Sequence, residues 1–268
     1  MSYKLMAVDI DGTLLDSKGN LTDETMKAIN KGLEKGMIFT ISTGRPIQGV
    51  QPLIEKLGLV EDLPFITYNG AMLVMGKSRD ILFECSMNAD DARTVINLGR
   101  EFGTTVMVWA DNQLFADELN EKAYKYSSIS GVAPILLEDA DKIVAKGATK
   151  ILWYDEVEII NKYLNEVGKY LNENVNFYTS QPYFLEFVDK RASKAKAIEK
   201  LGEHFNIKQS EMIAIGDGLN DLSMIEYAGL GVAMANANDI VKEKADYITL
   251  SNDEDGVAHV IYKFIVGI

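Results

Sequence analysis

Asp9-Ile10-Asp11-Gly12-Thr13 places two carboxylates two residues apart, directly after the apolar run Leu5-Met6-Ala7-Val8. Residues at i and i+2 of an extended chain point the same way, so both can serve one site. Gly12 permits a tight backbone path beside them. Near the other end of the chain, Gly216-Asp217-Gly218-Leu219-Asn220-Asp221 sets two more carboxylates and an amide among glycines. A helix N-cap with acidic first-turn residues accounts for Asn220 or Asp221, but not for Asp217. Four carboxylates brought together repel one another and need a hard divalent cation. Oxygen donors with little His or Cys point to Mg²⁺.

An acidic site of this kind needs cationic help to hold an anionic substrate. Arg191-Ala192-Ser193-Lys194-Ala195-Lys196 offers Lys194, just before a helix carrying Ala197, Ile198 and Leu201, with Lys196 as the competing choice. Ser42-Thr43-Gly44-Arg45 offers hydroxyls, free backbone N–H groups and a guanidinium, a reasonable phosphate cradle. Each has a plainer reading: a solvent-exposed lysine at a helix start, and a capped helix with a surface arginine.

The elements that must position these groups alternate. Leu5–Val8 reads as a buried strand ending at Asp9. Thr22 can cap a helix whose apolar face is Met26, Ile29 and Leu33, and Gly36 ends it. Met37–Ile41 is a second strand, running into Ser42-Thr43. Pro46 opens a second helix with Val50, Leu53, Ile54 and Leu57 on its face, closed by Gly58. Phe65–Tyr68 is a third strand, followed by the turn pair Asn69-Gly70. The alternation resumes at Met212–Ile215, a helix over Asp221–Ala228, Gly231–Met234 and Tyr247–Thr249. This is the pattern of a doubly wound, Rossmann-like parallel α/β sheet, whose ligand crevice lies at the carboxyl ends of the strands. The Asp9/Asp11, Ser42/Thr43 and Asp217/Asn220/Asp221 groups all fall there.

The middle of the chain reads differently, with more polar strands and longer helices. Val106–Trp109, Ile151–Tyr154, Asn176–Tyr178 and Phe184–Val188 look like strands. Ala92, Val95, Ile96 and Phe102 make one helical face, and Val157, Ile160, Leu164, Val167 and Leu171 another. Alternation over Phe184, Glu186 and Val188 predicts a sheet with one wet face. The expected division is a core of residues 1–83 and 190–268 with an inserted α+β domain at 84–189.

The chain has 268 residues, about one large or two modest domains. Hydrophobic residues are 47% and charged residues 25%, which excludes a disordered chain, a collagen and a disulfide scaffold. A formal charge of −13 disfavours unaided binding to nucleic acid or to an anionic membrane. One cysteine, Cys85, cannot form an internal disulfide. Met1–Lys4 leaves no room for a signal peptide, and no run approaches a bilayer span. The expected place is the cytoplasm.

Taken together, the motifs resemble the haloacid dehalogenase (HAD) superfamily, and within it the Cof-type, subclass IIB phosphatases with a large inserted cap. Asp9–Leu15 looks like the first motif of that family, Thr43 before Gly44-Arg45 the second, Lys194 the third and Gly216–Asp221 the fourth. Thr67–Ala71, Ala235–Ala237 through Tyr247, and Ser251–Val257 also look typical. Ala195 stands where the family commonly has Gly, and Ala235 replaces another common Gly.

The resemblance implies a sugar-phosphatase-like enzyme acting on a small phosphate ester. Asp9 would attack phosphorus and become an aspartyl-phosphate, and Asp11 would serve as acid and base. Mg²⁺ would sit between Asp9, the Asp11 carbonyl and Asp217, with Asp221 in support. Thr43, Gly44, Arg45, Lys194 and Asn220 would bind phosphate. A phosphomutase of the same superfamily, or a receiver-like phospho-aspartate signalling module, are the alternatives. No nucleic-acid or membrane partner is expected, the state being monomer or homodimer. His204, His259, Cys85, Trp109 and Trp153 are read as structural, and Glu199 and Glu203 as a solvated helix face.

Overall fold

The computed structural model describes residues 3–58 and 62–268; Met1 and Ser2, part of the leader reading, lie outside them. The chain folds as two compact units. The first comprises Met1–Thr43, Leu53–Phe83 and Ser193–Ile268, the second Gly44–Pro52 and Glu84–Ala192. The short segment after Thr43 thus belongs with the second unit.

An eight-stranded sheet carries the first unit. Its order is Tyr247–Ile248, Leu230–Ala233, Met212–Gly216, Leu5–Val8, Ile38–Ser42, Pro64–Thr67, Met72–Met75, Ile81–Glu84. The strands from Tyr247–Ile248 to Pro64–Thr67 pair in parallel, and Met72–Met75 returns antiparallel. Leu5–Val8 is fully buried, which explains its unbroken apolar run. It is flanked by Ile38–Ser42 on one side and Met212–Gly216 on the other, so the strand order reverses there. That reversal opens a crevice at the strands' carboxyl ends.

The register decides what meets in the crevice. Val8 is level with Ile41 and with Ile215. The chain therefore leaves the sheet side by side at Asp9, Ser42 and Gly216. The helix Asp23–Glu34 packs on the sheet through Ala28 and Ile29. Its cap is Thr22, whose hydroxyl accepts from the Thr25 N–H at 3.1 Å.

In the second unit a six-stranded sheet runs Val175–Gln181, Phe184–Asp189, Lys150–Tyr154, Thr105–Ala110, Gln113–Ala116, Ile135–Leu136. Its pairs are antiparallel except the last. The helices Ala89–Glu101 and Val157–Glu166 contribute Val95, Ile96 and Ile160 to a core with Val106, Val108, Ile151, Trp153, Leu185 and Phe187. Trp109 and Trp153 are fully buried.

The structure corrects one expectation here. Phe184, Glu186 and Val188 are all buried, so that strand has no wet face. Glu186 enters the interior because the Lys150 ammonium stands 3.1 Å from its Oε1. The strands Met72–Met75, Ile81–Glu84 and Gln113–Ala116 and the helix Glu121–Ser130 were not anticipated. No helix among the described residues is long and apolar enough to cross a membrane.

Candidate active site

Asp9 ends the central strand with its N–H bonded to the Ile215 carbonyl at 3.0 Å. The next residues form an irregular turn, Ile10–Leu14, with Gly12 at φ +84°. A Cβ on Gly12 would lie 2.4 Å from Asp217 Oδ2, so glycine is required by both conformation and space. The turn directs Thr13 across the crevice, where its hydroxyl donates to Asp217 Oδ1 at 2.7 Å. The Asn236 amide donates to the Gly12 carbonyl at 2.8 Å and fixes the turn from outside.

Lys194 is the first residue of the helix Lys194–Phe205, behind the cap Ser193. Its fully buried ammonium donates to Asp9 Oδ1 at 2.6 Å, Asp221 Oδ1 at 2.6 Å and the Ser42 carbonyl at 2.8 Å. Three donors meet three acceptors, the full capacity of the group. Lys196 instead pairs with Glu199 at the surface, and Lys200 with Glu203. The helix reaches this depth because Gly70, at φ +95°, lets the chain pass close to Ser193; a Cβ there would lie 2.1 Å from the Ser193 carbonyl oxygen.

Asp221 is buried and wholly engaged. Its Oδ1 accepts from Lys194, and its Oδ2 accepts from the backbone N–H groups of Asp217 and Gly218 at 3.1 and 3.0 Å. It thereby holds the Gly216–Asn220 turn in shape and sets Asp217 toward Asp9. Carboxylate oxygens of Asp9, Asp217 and Asp221 can lie within 4.8 Å of one another. Asp11 stands outside that trio, with its residue exposed.

Thr43 is buried, its N–H bonded to the Ile66 carbonyl and its own carbonyl accepting from the Asn69 N–H, both at 2.9 Å. Asn69 adopts a left-handed conformation, φ 54°, and its Oδ1 accepts from the exposed Asn220 amide at 3.4 Å. Thr13 and Asn69 were not singled out as site residues from the sequence. Both lie within the stretches that carry the family resemblance, Asp9–Leu15 and Thr67–Ala71, but a partner across the crevice leaves no local trace. Gly44 and Arg45 belong to the second unit.

The electrostatics follow from burial. Burial, and then the Asp221 charge, push the Asp9 carboxyl up to about 8, against the pull of Lys194. Burial and Asp221 push Asp217 up to about 6, although the Thr13 hydroxyl opposes the shift. Burial works against the Lys194 charge, yet Asp221 and Asp9 outweigh it and raise its pKa. Three carboxylates outnumber one ammonium, and burial resists the ionisation of Asp9 and Asp217. An all-oxygen set with surplus negative charge fits a hard divalent cation.

Residues 6–261 match the family model for haloacid dehalogenase-like hydrolases. The 5-amino-6-(5-phospho-D-ribitylamino)uracil phosphatase YcsE of Bacillus subtilis is 34% identical over 266 residues, covering 99% of this chain and 97% of its own. A haloacid dehalogenase-like hydrolase of Bacteroides thetaiotaomicron superposes with a TM-score of 0.87 at 31% identity, over 98% of this chain and 99% of its own. The HAD subclass IIB sugar phosphatase BT4131 gives 0.80 at 25% identity, over 97% and 98%. The chain belongs to the haloacid dehalogenase-like hydrolases. It is an enzyme of that hydrolase family, among relatives named as phosphatases.

Proposed function

We propose that the protein is a Mg²⁺-dependent phosphatase that hydrolyses a small phosphorylated metabolite, a sugar phosphate or similar ester, through an aspartyl-phosphate on Asp9. The observation that carries this reading is the Lys194 ammonium shared between Asp9 and Asp221 inside an acidic cluster at the sheet's switch point. Substrates named for the relatives YcsE and BT4131, a phosphoribityl compound and sugar phosphates, support the class.

Asp9, Asp217 and the Asp11 carbonyl would hold Mg²⁺, with Asp221 in support. The ion supplies positive charge that keeps Asp9 ionised and lets a carboxylate approach a phosphate dianion. Asp9 attacks phosphorus through a carboxylate oxygen, and the P–O bond to the leaving group breaks. Asp11 gives its proton to the leaving oxygen. It then takes a proton from water, whose oxygen attacks phosphorus, freeing inorganic phosphate and restoring Asp9. Lys194, exchanging its bond to Asp9 for one to the substrate, and Thr43, with Gly44, Arg45 and Asn220, would bind the equatorial oxygens, where charge spreads during transfer. Residues 84–189 act as an inserted cap that chooses the leaving group.

The test is turnover of p-nitrophenyl phosphate with Mg²⁺ and with EDTA, beside Asp9→Asn. Mg²⁺-dependent turnover that disappears in the variant supports the reading, and a metabolite-phosphate panel then ranks substrates. Equal turnover by both proteins contradicts it.

A further inference from the structure

The second unit contains a buried ion pair that the reaction above does not use. Lys150 Nζ lies 3.1 Å from Glu186 Oε1, and the two side chains are 2% and 5% exposed. Ser180 Oγ donates to the same Oε1 at 2.8 Å. The Tyr126 ring centroid is 5.9 Å from the ammonium, and the Tyr126 hydroxyl accepts from the Trp109 indole at 3.0 Å. Glu186 Oε2 is buried without a partner among the described residues.

Stability alone is a poor reason for this arrangement. Taking both charges out of water carries a desolvation penalty that apolar side chains of similar volume would avoid. The unpartnered oxygen adds a desolvation cost of its own. What apolar residues cannot supply is a directed N–H bond. Lys150 spends one on the Gly44 carbonyl, at 3.3 Å. Gly44 lies between Thr43 and Arg45 and has no side chain to anchor itself.

The same short segment is held at two further points within that unit. Gln48 Nε2 donates to the Asn112 carbonyl at 3.0 Å. Gly49 packs so close that a Cβ would lie 3.0 Å from the Ser130 carbonyl oxygen. Lys150 is the charged member of this set: burial opposes its charge, but Glu186 and Tyr126 together outweigh burial and raise its pKa.

We propose that Lys150, braced by Glu186, is a positioning residue that fixes the Gly44 peptide and thereby aims the Thr43–Arg45 turn at a phosphoryl group. This rests on the phosphatase reading for its catalytic consequence, though not for the structural hold. A turn that binds phosphate equally in ground and transition states should affect KM more than kcat.

The experiment compares the full-length wild type with Lys150→Met and Glu186→Gln, in Mg²⁺, on p-nitrophenyl phosphate. Amide hydrogen exchange over residues 44–49 is followed by mass spectrometry in parallel. Lys150→Met should raise KM about tenfold while kcat changes less than about threefold. Exchange should quicken in 44–49 while the strands of the first unit keep their protection. Glu186→Gln keeps the size, removes the brace and should shift both readouts the same way; it carries the test if Lys150→Met does not fold. Wild-type KM and wild-type exchange at 44–49 in a folded variant overturn the proposal, whatever the melting temperature. A wild type that turns over no phosphate ester indicts the phosphatase reading instead, and exchange at 44–49 then decides the hold alone.

Discussion

Gly12 and Asp217, from opposite ends of the chain, meet so closely that a single added carbon on Gly12 would lie 2.4 Å from Asp217 Oδ2. The two loops they belong to are one piece of structure. Thr13 bonds to Asp217, and Asn236 bonds back to Gly12.

Gly12→Ala tests that contact. The φ of +84° costs alanine about 1–2 kcal/mol before any clash. The clash must then displace Asp217 or the Asp9 turn, and displacements near 1 Å cost about a hundredfold in rate. We expect kcat/KM to fall by at least about a hundredfold, with a melting temperature only modestly reduced. Steady-state kinetics and thermal unfolding check both. Near-wild-type kinetics would show that the two loops can separate without consequence.

The two lysines of Ser193-Lys194-Ala195-Lys196 should behave oppositely. Lys194→Met leaves Asp9 and Asp221 facing each other without their shared cation. Removing one partner from a buried ion pair costs about 3–5 kcal/mol, measurable by urea unfolding. Lys196 is at the surface with Glu199, so Lys196→Met should change stability by less than about 1 kcal/mol and leave turnover intact. Equal losses in both variants would contradict the assignment of Lys194.

Metal and proton should compete for the acidic cluster. In the metal-free protein, Asp9 and Asp217 sit at about 8 and about 6, above their ordinary value of 3.8. A carboxyl raised by folding contributes stability that is full below its unfolded pKa and lost as pH rises through its folded pKa. These two groups therefore weaken the metal-free fold progressively between about pH 4 and pH 8. A divalent cation binds their ionised forms, so added Mg²⁺ should raise the melting temperature more at pH 8.5 than at pH 5.5. Thermal unfolding with Mg²⁺ and with EDTA at each pH reads this out. Equal increments at both would mean that these carboxyls do not bind the ion.

Much of the site was legible because its residues are contiguous in sequence at the ends of apolar strands. Val8-Asp9, Ile41-Ser42 and Ile215-Gly216 are level in the sheet, and each strand could be seen to stop there. Lys194 was legible only as one of two lysines, since nothing local says which one turns inward. The depth of Lys194 is set by Gly70 and by two carboxylates distant in sequence. Asn69 was visible as a turn residue, but its N–H bond to Thr43 was not. Glu186 was misread as facing water because alternation reports polarity, and a buried partner such as Lys150 removes the reason for exposure. The helix Glu121–Ser130 was missed because it exposes Tyr124 and Ile129 and buries Ala123 and Tyr126, a weak amphipathic signal.

In the proposed reaction Asp9 carries the phosphoryl group. The direct measurement is rapid acid quenching of enzyme turning over p-nitrophenyl phosphate in Mg²⁺, followed by peptide mass spectrometry. A phosphorylated peptide containing Asp9 is expected, formed within the first turnover and absent from Asp9→Asn. Turnover at the full rate with no phosphorylated Asp9 at any quench time would contradict it, and would assign attack on phosphorus to water.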